Sequence, residues 1–515
     1  MIRRNSFGYI SLTLIIVALL MSVRIQSQTP KSVSSTNQIT TKLAELTKSL
    51  QAKLDDSRRL ARFPGAQVGF VYIDGQTPDG RPHYVSGSVA TGVSDLQRNT
   101  PLKTSDRLLA GSIGKTFVAA LTLLLVQEGT FNLDEKIEKW LGKQSWFTKL
   151  PNAKDITLRM LLNHSSGIEN HVDNESFQKQ MFKSAGRDIK FEELIAYVLN
   201  KKPLFPAGAG YNYADTNYIL AGMVIEQATG KTLYNLIADK ILKPNGLDRT
   251  TPSNSVSLPE VSNGYLEGRP VIVNGKFTIN PQWEWTGGGF ASTAEDLARW
   301  ANLLYGSEIL SPASQDQMFK STTTGEGAAY GLGVMITRSK WGRSYGHDGE
   351  FPGYLSEMRY YVKHKIAISV MVNSDETSRV NAFLSSAVDN FAEVIIEATA
   401  TRQLSQSDQA KLQKVTEGWL SLIDTGKYDE SWNQLSQRLK NRFTKEAWSS
   451  VIHTFLDRTG KLKSRKLRSV AYSDPDSEIV AVDFESSFGK VPTGSETVLL
   501  ELENGEWKIA SYTVH

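Results

Sequence analysis

Three short clusters in this 515-residue chain carry side chains suited to nucleophilic catalysis. The first reads Ala110-Gly111-Ser112-Ile113-Gly114-Lys115, and an apolar run over 116–127 follows it. That run predicts a buried helix, with Gly129 as its stop. A hydroxyl is a poor nucleophile until a neighbouring base takes its proton. Lys115, three residues past Ser112, lies on the same helical face. The helix N-terminus adds backbone N–H groups that favour negative charge. Spacing alone selects nothing, because Ser176–Lys179 and Ser487–Lys490 repeat it without a buried helix behind them. Two further clusters single out Ser112. Tyr213-Ala214-Asp215 stands just before an apolar helical pattern over 219–228, and Gly346-His347-Asp348-Gly349-Glu350 stands just before a strand pattern.

The elements that must position these residues follow from periodicity. Leu43, Leu46, Leu50 and Leu54 recur at three or four, which predicts a helix that Phe63-Pro64-Gly65 ends. Strand patterns follow at 67–73 and 83–89, with turn signals at Asp74-Gly75 and Asp79-Gly80. Residues 112–305 read mostly as helix and loop. Strands return at 330–336, 354–362 and 365–372, and a long helix covers 380–400. Segregated helices and strands indicate an α+β fold. Near 399–408 the composition shifts to Gln and Ser. Beyond it lie helical patterns at 408–424, 428–442 and 444–458. Strand patterns follow at 463–472, 478–486, 495–502 and 506–514, with Asn504-Gly505 as a hairpin turn. The expected organisation is a signal peptide over 1–28, a Ser/Thr-rich linker over 29–41, a hydrolase domain over 42–400, a linker over 401–407 and a small separate α+β domain over 408–515.

Composition narrows the class. The chain is 40% hydrophobic and 22% charged with a net charge of +4, which suits a globular protein and gives no reason to expect a nucleic-acid partner. With no cysteine there are no disulfides, no cysteine zinc sites and no thiol nucleophile. Met1-Ile2-Arg3-Arg4 and an apolar run over 9–23 fit a secretory signal better than a spanning helix, which needs about 20 apolar residues. The expected location is the periplasm or the exterior of a bacterium; the alternative is an N-terminal membrane anchor.

From about 40 to 400 the chain resembles the serine β-lactamase-like superfamily of class C β-lactamases, D-alanyl-D-alanine carboxypeptidases and related esterases. Besides the three clusters, the resemblance rests on Phe63-Pro64-Gly65-Ala66, on Ile156-Thr157-Leu158-Arg159-Met160-Leu161-Leu162-Asn163-His164-Ser165-Ser166-Gly167 and on Gly287-Gly288-Gly289-Phe290-Ala291-Ser292-Thr293. It implies an antiparallel sheet flanked by helices, plus a helical lobe, with the serine between them. It implies that Ser112 is the acylated nucleophile, that Lys115 shuttles its proton and that Tyr213 is a general base. A tyrosine with an unperturbed pKa of about 10 must be brought down for that task, and Lys115, with a protonated His347, would do so. Asp215, His347 and Gly349 would meet the substrate, Gly349 by letting it lie close to the strand. The backbone N–H groups of Ser112 and Glu350 would form the oxyanion hole. The middle motif departs from the family's Tyr-x-Asn: ionised Asp215 only accepts hydrogen bonds, whereas Asn also donates. That puts β-lactam hydrolysis in question more than the fold.

The implied function is an exported serine hydrolase acting through an acyl-enzyme on a D-alanyl peptide, a β-lactam or an ester. The alternative is a catalytically silent, penicillin-binding-like receptor or envelope interaction protein. No cofactor and no metal are expected, since His164 and His171 lack a third ligand. Ser292 to Asp296 reads as a helix N-cap, and the basic run 461–468 as a solvated strand. The C-terminal domain resembles a bacterial family of unknown function related to cystatin-like cones, through Trp419 to Tyr428 and Ser464-Arg465. An envelope or protein partner is its expected role, beside a small-molecule or peptidoglycan-derived substrate for the hydrolase domain.

Overall fold

Leucines spaced four apart give the first helix, α1 (Ser32–Ala61), an apolar stripe in which Leu46, Leu50 and Leu54 are buried. The stripe packs with Val68, Phe70, Ile368 and Phe391 in one layer of core. The helix starts well inside the segment expected to be a linker over 29–41. Ser and Thr cost only a few tenths of a kcal/mol each in a helix, and a helix fixed by its leucine stripe extends through them. The computed structural model describes residues 32–77, 81–183, 186–323, 329–375, 377–399, 404, 406–473, 479–503 and 505–514. Val33–Thr399 forms one compact unit, and the described residues after Ala400 belong to a second. The expected signal peptide and the Asp79-Gly80 turn lie outside the described residues. No described helix is long and apolar enough to cross a membrane.

The first unit is built on a nine-stranded antiparallel sheet. Its strands are β1 (Gly65–Gln76), β2 (Pro82–Asp95), β3 (Thr100–Pro101), β4 (Thr322–Thr323), β5 (Ala329–Tyr330), β6 (Met335–Ser339), β7 (Gly342–Phe351), β8 (Tyr354–Tyr361) and β9 (Ile366–Val372), in the order β4-β5-β6-β7-β8-β9-β1-β2-β3. Every residue of β8 and β9 is buried, so both faces of the sheet are covered. One face carries the α1 layer. The other meets a larger core that includes Phe117 and Leu121 of α2 (Gly114–Gln127), Ile219 of α3 (Asp215–Thr229) and Trp300 of α4 (Ala294–Tyr305). Thr293 caps α4 by accepting from the Asp296 N–H, as its sequence implies. A long helix, α5 (Thr377–Thr399), closes the unit.

The sequence placed His347-Asp348-Gly349 before a strand, but the strand runs through it. Gly346, Asp348, Gly349 and Glu350 depress β propensity there. Pairing with β8, in register from Ser344↔Tyr361 to Phe351↔Tyr354, supplies the ladder that propensity does not. On its other side β7 pairs with β6 only as far as Gly346, so from His347 onward that edge has no described strand beside it.

The second unit packs α6 (Gln406–Asp424), α7 (Tyr428–Asn433), α8 (Gln437–Lys440) and α9 (Lys445–Thr459) with a four-stranded antiparallel sheet. The strands, in spatial order, are β10 (Leu462–Tyr472), β11 (Val480–Phe488), β12 (Gly494–Glu503) and β13 (Glu506–Val514). Trp419, Leu420, Phe484 and Leu500 are in its core. The single helix expected over 428–442 is two. The Ser436 N–H bonds the Ile509 carbonyl, and its side chain caps α8, so a tertiary contact breaks the helix. In the basic run, Arg465 is not solvated: it pairs with Asp424 and Glu496, each at 2.6 Å, and Glu496 is fully buried.

Candidate active site

Ser112 lies in a single 3-10 turn, Gly111–Ile113, that leads straight into α2. Two close backbone approaches hold this turn against β7. Gly111 has φ +55°, and a Cβ there would stand 2.4 Å from the Glu350 nitrogen. A Cβ on Gly349 would stand 2.0 Å from the Ala110 oxygen and 2.3 Å from Ser356 Oγ. Ser356 Oγ also donates to the Ala110 carbonyl at 2.8 Å. Gly349 therefore makes room for the nucleophile turn. The expectation that it makes room for substrate is corrected, because its missing side chain points at the protein.

Lys115 is completely buried. Its Nζ donates to Ser112 Oγ at 2.8 Å and to the Gly287 carbonyl, and it forms an ion pair with Asp215 at 2.6 Å. Two hydrogen-bond acceptors and one carboxylate counter-charge thus surround the ammonium. Asp215 is the first residue of α3, where the helix dipole also favours a negative charge. Its carboxylate supplies a full counter-charge to the lysine, which the family's Asn does not.

The Tyr213 side chain lines the same cleft as Ser112, and Lys115 Nζ lies 4.9 Å from its ring centre. Burial, reinforced by the Asp215 charge, pushes the Tyr213 phenol well above its ordinary value. The expectation of a lowered tyrosine is overturned, and so is that of a protonated His347. Burial, with help from the Lys115 charge, takes the His347 imidazole down to about 4, so it is neutral at neutral pH. Its Nδ1 is 2.6 Å from the Asp348 carbonyl oxygen, so Nδ1 carries the proton and donates it. Nε2 accepts from the Tyr330 hydroxyl at 2.8 Å. Both ring nitrogens are engaged by protein, so His347 braces the wall and does not present a nitrogen to substrate.

These groups open onto one cleft of about 560 Å³, lined by Ser112, Tyr213, the 347–350 segment of β7, and Leu384 of α5. The unpaired edge of β7 runs along it, with the Glu350 backbone nitrogen beside Gly111. Among the described residues no group of His, Asp and Glu is arranged to hold a metal ion.

Sequence reasoning missed two residues around the site. His164 is fully buried at φ +60°, a strained backbone for a non-glycine residue. Its Nδ1 accepts from the Ala214 N–H at 3.2 Å, its carbonyl accepts from the Asn212 N–H at 2.9 Å, and its ring centre is 4.3 Å from that of Tyr213. It shapes the turn that presents Tyr213. Its position in the quoted 156–167 phrase was the available signal. Glu284, beside the Gly287-Gly288-Gly289 segment, gave none.

A serine ahead of a buried helix, joined to a lysine and sharing a cleft with a tyrosine beside the free edge of an antiparallel sheet, is the apparatus of an active-site-serine hydrolase. The beta-lactamase family profile matches residues 57–390, and the chain belongs to that family. Penicillin-binding protein 4* of Bacillus subtilis is 26% identical over 302 residues, covering 55% of this chain and 64% of that protein. A D-aminopeptidase of Cereibacter sphaeroides is 25% identical over 342 residues, covering 65% of this chain and 61% of that protein. The chain thus spans less than two thirds of the length of either relative. The crystal structure of a D-stereospecific amidohydrolase from Streptomyces sp. matches with a TM-score of 0.54 at 26% identity, over 66% of this chain and 98% of that one. Residues 415–512 match a family described as proteins of unknown function, DUF4019.

Proposed function

We propose that the chain is an exported hydrolase that forms an acyl-enzyme on Ser112 with a D-alanyl peptide, a related D-configured amide, a β-lactam or an ester. The observation that carries this reading is the 2.8 Å contact from buried Lys115 Nζ to Ser112 Oγ, on a cleft that Tyr213 also lines. The relatives named for D-aminopeptidase and D-stereospecific amidohydrolase activity support the substrate class. The basic start and apolar run at the N-terminus support export.

In this mechanism the Lys115–Asp215 pair is the proton reservoir. Moving the ammonium proton onto the Asp215 carboxylate leaves a neutral amine and a neutral acid, with no change in net charge. The amine then takes the Ser112 proton as Oγ attacks the substrate carbonyl. Tyr213, neutral at rest, passes its own proton to the leaving group and takes one back from the Lys115 ammonium, which returns to the amine. The N–H groups of Ser112 and Glu350 receive the oxyanion. Water enters by the reverse route to release the acid.

Mass spectrometry after exposure to a fluorophosphonate, and separately to penicillin, tests the reading. An adduct on the peptide containing Ser112 is expected in the wild type and absent in Ser112→Ala. Lys115→Ala should be nearly as deficient, because groups acting as a unit fail together. Adduct formation at an undiminished rate in Ser112→Ala would refute the site, and its absence from the wild type under all conditions would indicate a silent receptor.

A further inference from the structure

Glu284 is a carboxyl packed behind the nucleophile turn, away from the cleft, to which the mechanism above gives no part. The segment that carries it is held in unusual backbone: Trp285 has φ +36° and Gly289 has φ +43°. The same segment supplies the Gly287 carbonyl that receives the Lys115 ammonium. A Cβ placed on Gly288 would stand 2.2 Å from Glu284 Oε1 and 3.0 Å from the Gly111 carbonyl carbon. The carboxyl therefore fills the gap behind the residue that precedes Ser112. Its Oε2 is buried without a hydrogen-bond partner. A carboxylate left with an unpartnered buried oxygen is a costly arrangement, and a neutral acid avoids most of that cost.

We propose that Glu284 is a positioning residue of the Ser112 site: its neutral acid completes a charge-balanced cluster with Lys115 and Asp215, and its ionisation switches acylation off. This rests on the hydrolase reading above. The charged and titratable groups around it are Asp215 at the start of α3, Lys115 of α2, and the buried Tyr234 hydroxyl from the helix Leu233–Ile237. Burial first, and the Asp215 charge second, push the Glu284 carboxyl up to about 8, with Lys115 opposing them. Below that pH the cluster holds one positive and one negative charge. Above it a second negative charge sits behind the nucleophile. That charge opposes proton loss from Lys115 and opposes the oxyanion forming on the substrate. An alkaline limb in acylation follows, set by a group that touches no reacting atom.

The test measures the rate of fluorophosphonate labelling of Ser112 from pH 6 to pH 10 in wild type, Glu284→Gln and Glu284→Met. The wild-type rate at pH 9.5, relative to that at pH 7, should be at least tenfold lower than the same ratio in either variant. Thermal unfolding against pH gives a second readout. The folded protein holds a proton that the unfolded chain releases above about 4.5, so wild type should lose stability relative to Glu284→Gln as pH rises from about 4.5 to about 8. A merely structural role would lower stability or rate at every pH and leave the ratio unchanged. Superimposable pH profiles in a labelled wild type and its variants would overturn the Glu284 assignment alone. No labelling of wild type at any pH would overturn the hydrolase reading, and this inference with it.

Discussion

Replacing Gly349 by alanine tests whether the nucleophile is held by backbone contact. The new Cβ would stand 2.0 Å from the Ala110 oxygen, where such contacts begin at about 3.0 Å. Either β7 or the nucleophile turn must therefore give way by about 1 Å. Neither is a flexible side-chain end, and Ser112 follows Ala110 by two residues. A misplacement of about 1 Å costs on the order of 10²-fold in rate, or about 2.7 kcal/mol in the barrier. Overpacking should also lower stability by about 1–3 kcal/mol. The assay is the second-order rate of fluorophosphonate labelling, read beside thermal unfolding so that lost rate is not confused with lost fold. Adding Ser356→Ala removes the second clash, with Ser356 Oγ, but should not restore the rate, because the Ala110 oxygen remains. Gly349→Ala labelled within twofold of wild type would refute the reasoning, and so would full rescue by Ser356→Ala.

Three further outcomes are expected. Asp215→Asn removes the counter-charge of the ammonium and restores a donor toward a substrate amide, worth about 1–3 kcal/mol if buried. Acylation should slow overall, because the acceptor of the Lys115 proton is lost, while penicillin should gain relative to a small ester; acylation rates of both substrates in both proteins check this. A chain ending at Thr399 should keep its activity on a small activated ester, since every site residue lies in the first unit; a folded but inactive truncate would show that the second unit completes the site. Arg465→Ala should destabilise the second unit by about 3–5 kcal/mol, because it leaves the buried Glu496 carboxylate without its cation. Circular dichroism melting should also show partial recovery in the double variant Arg465→Ala/Glu496→Gln.

The sequence made some parts of this site readable and hid others for physical reasons. Ser112 and Lys115 were visible because an apolar helix after a Ser-x-x-Lys turn is a local pattern, and α2 forms where that pattern lies. Asp215 was visible as a departure from a motif, but its ion pair with Lys115 depends on two helices meeting. The states of Tyr213 and His347 were misjudged because proximity to a positive charge can be read from motifs, whereas the cost of burial needs the packed structure. Gly349 was correctly marked as a close approach and wrongly assigned its neighbour, since a strand's sequence does not say which backbone lies against it. In the second unit the hairpin was legible: Glu503 pairs with Glu506 and Gly505 has φ +83°, with Asn504 outside the described residues. The break between α7 and α8 was not, because it is made by a strand more than 70 residues away.

The contact of Gly111 and Gly349 with the opposing main chain has a consequence for how such a site can diversify. The placement of the nucleophile is written in peptide units, which point mutation changes only when a glycine is lost. The residues that face the cleft from α5, Asn381, Leu384 and Ser385, belong to a different segment and take no part in that contact. Substitutions there can remodel what the cleft admits while Ser112 stays where it is. New substrate preferences are then accessible by single steps through folded, reactive intermediates, and a lineage carrying this turn can drift in specificity without first losing its chemistry.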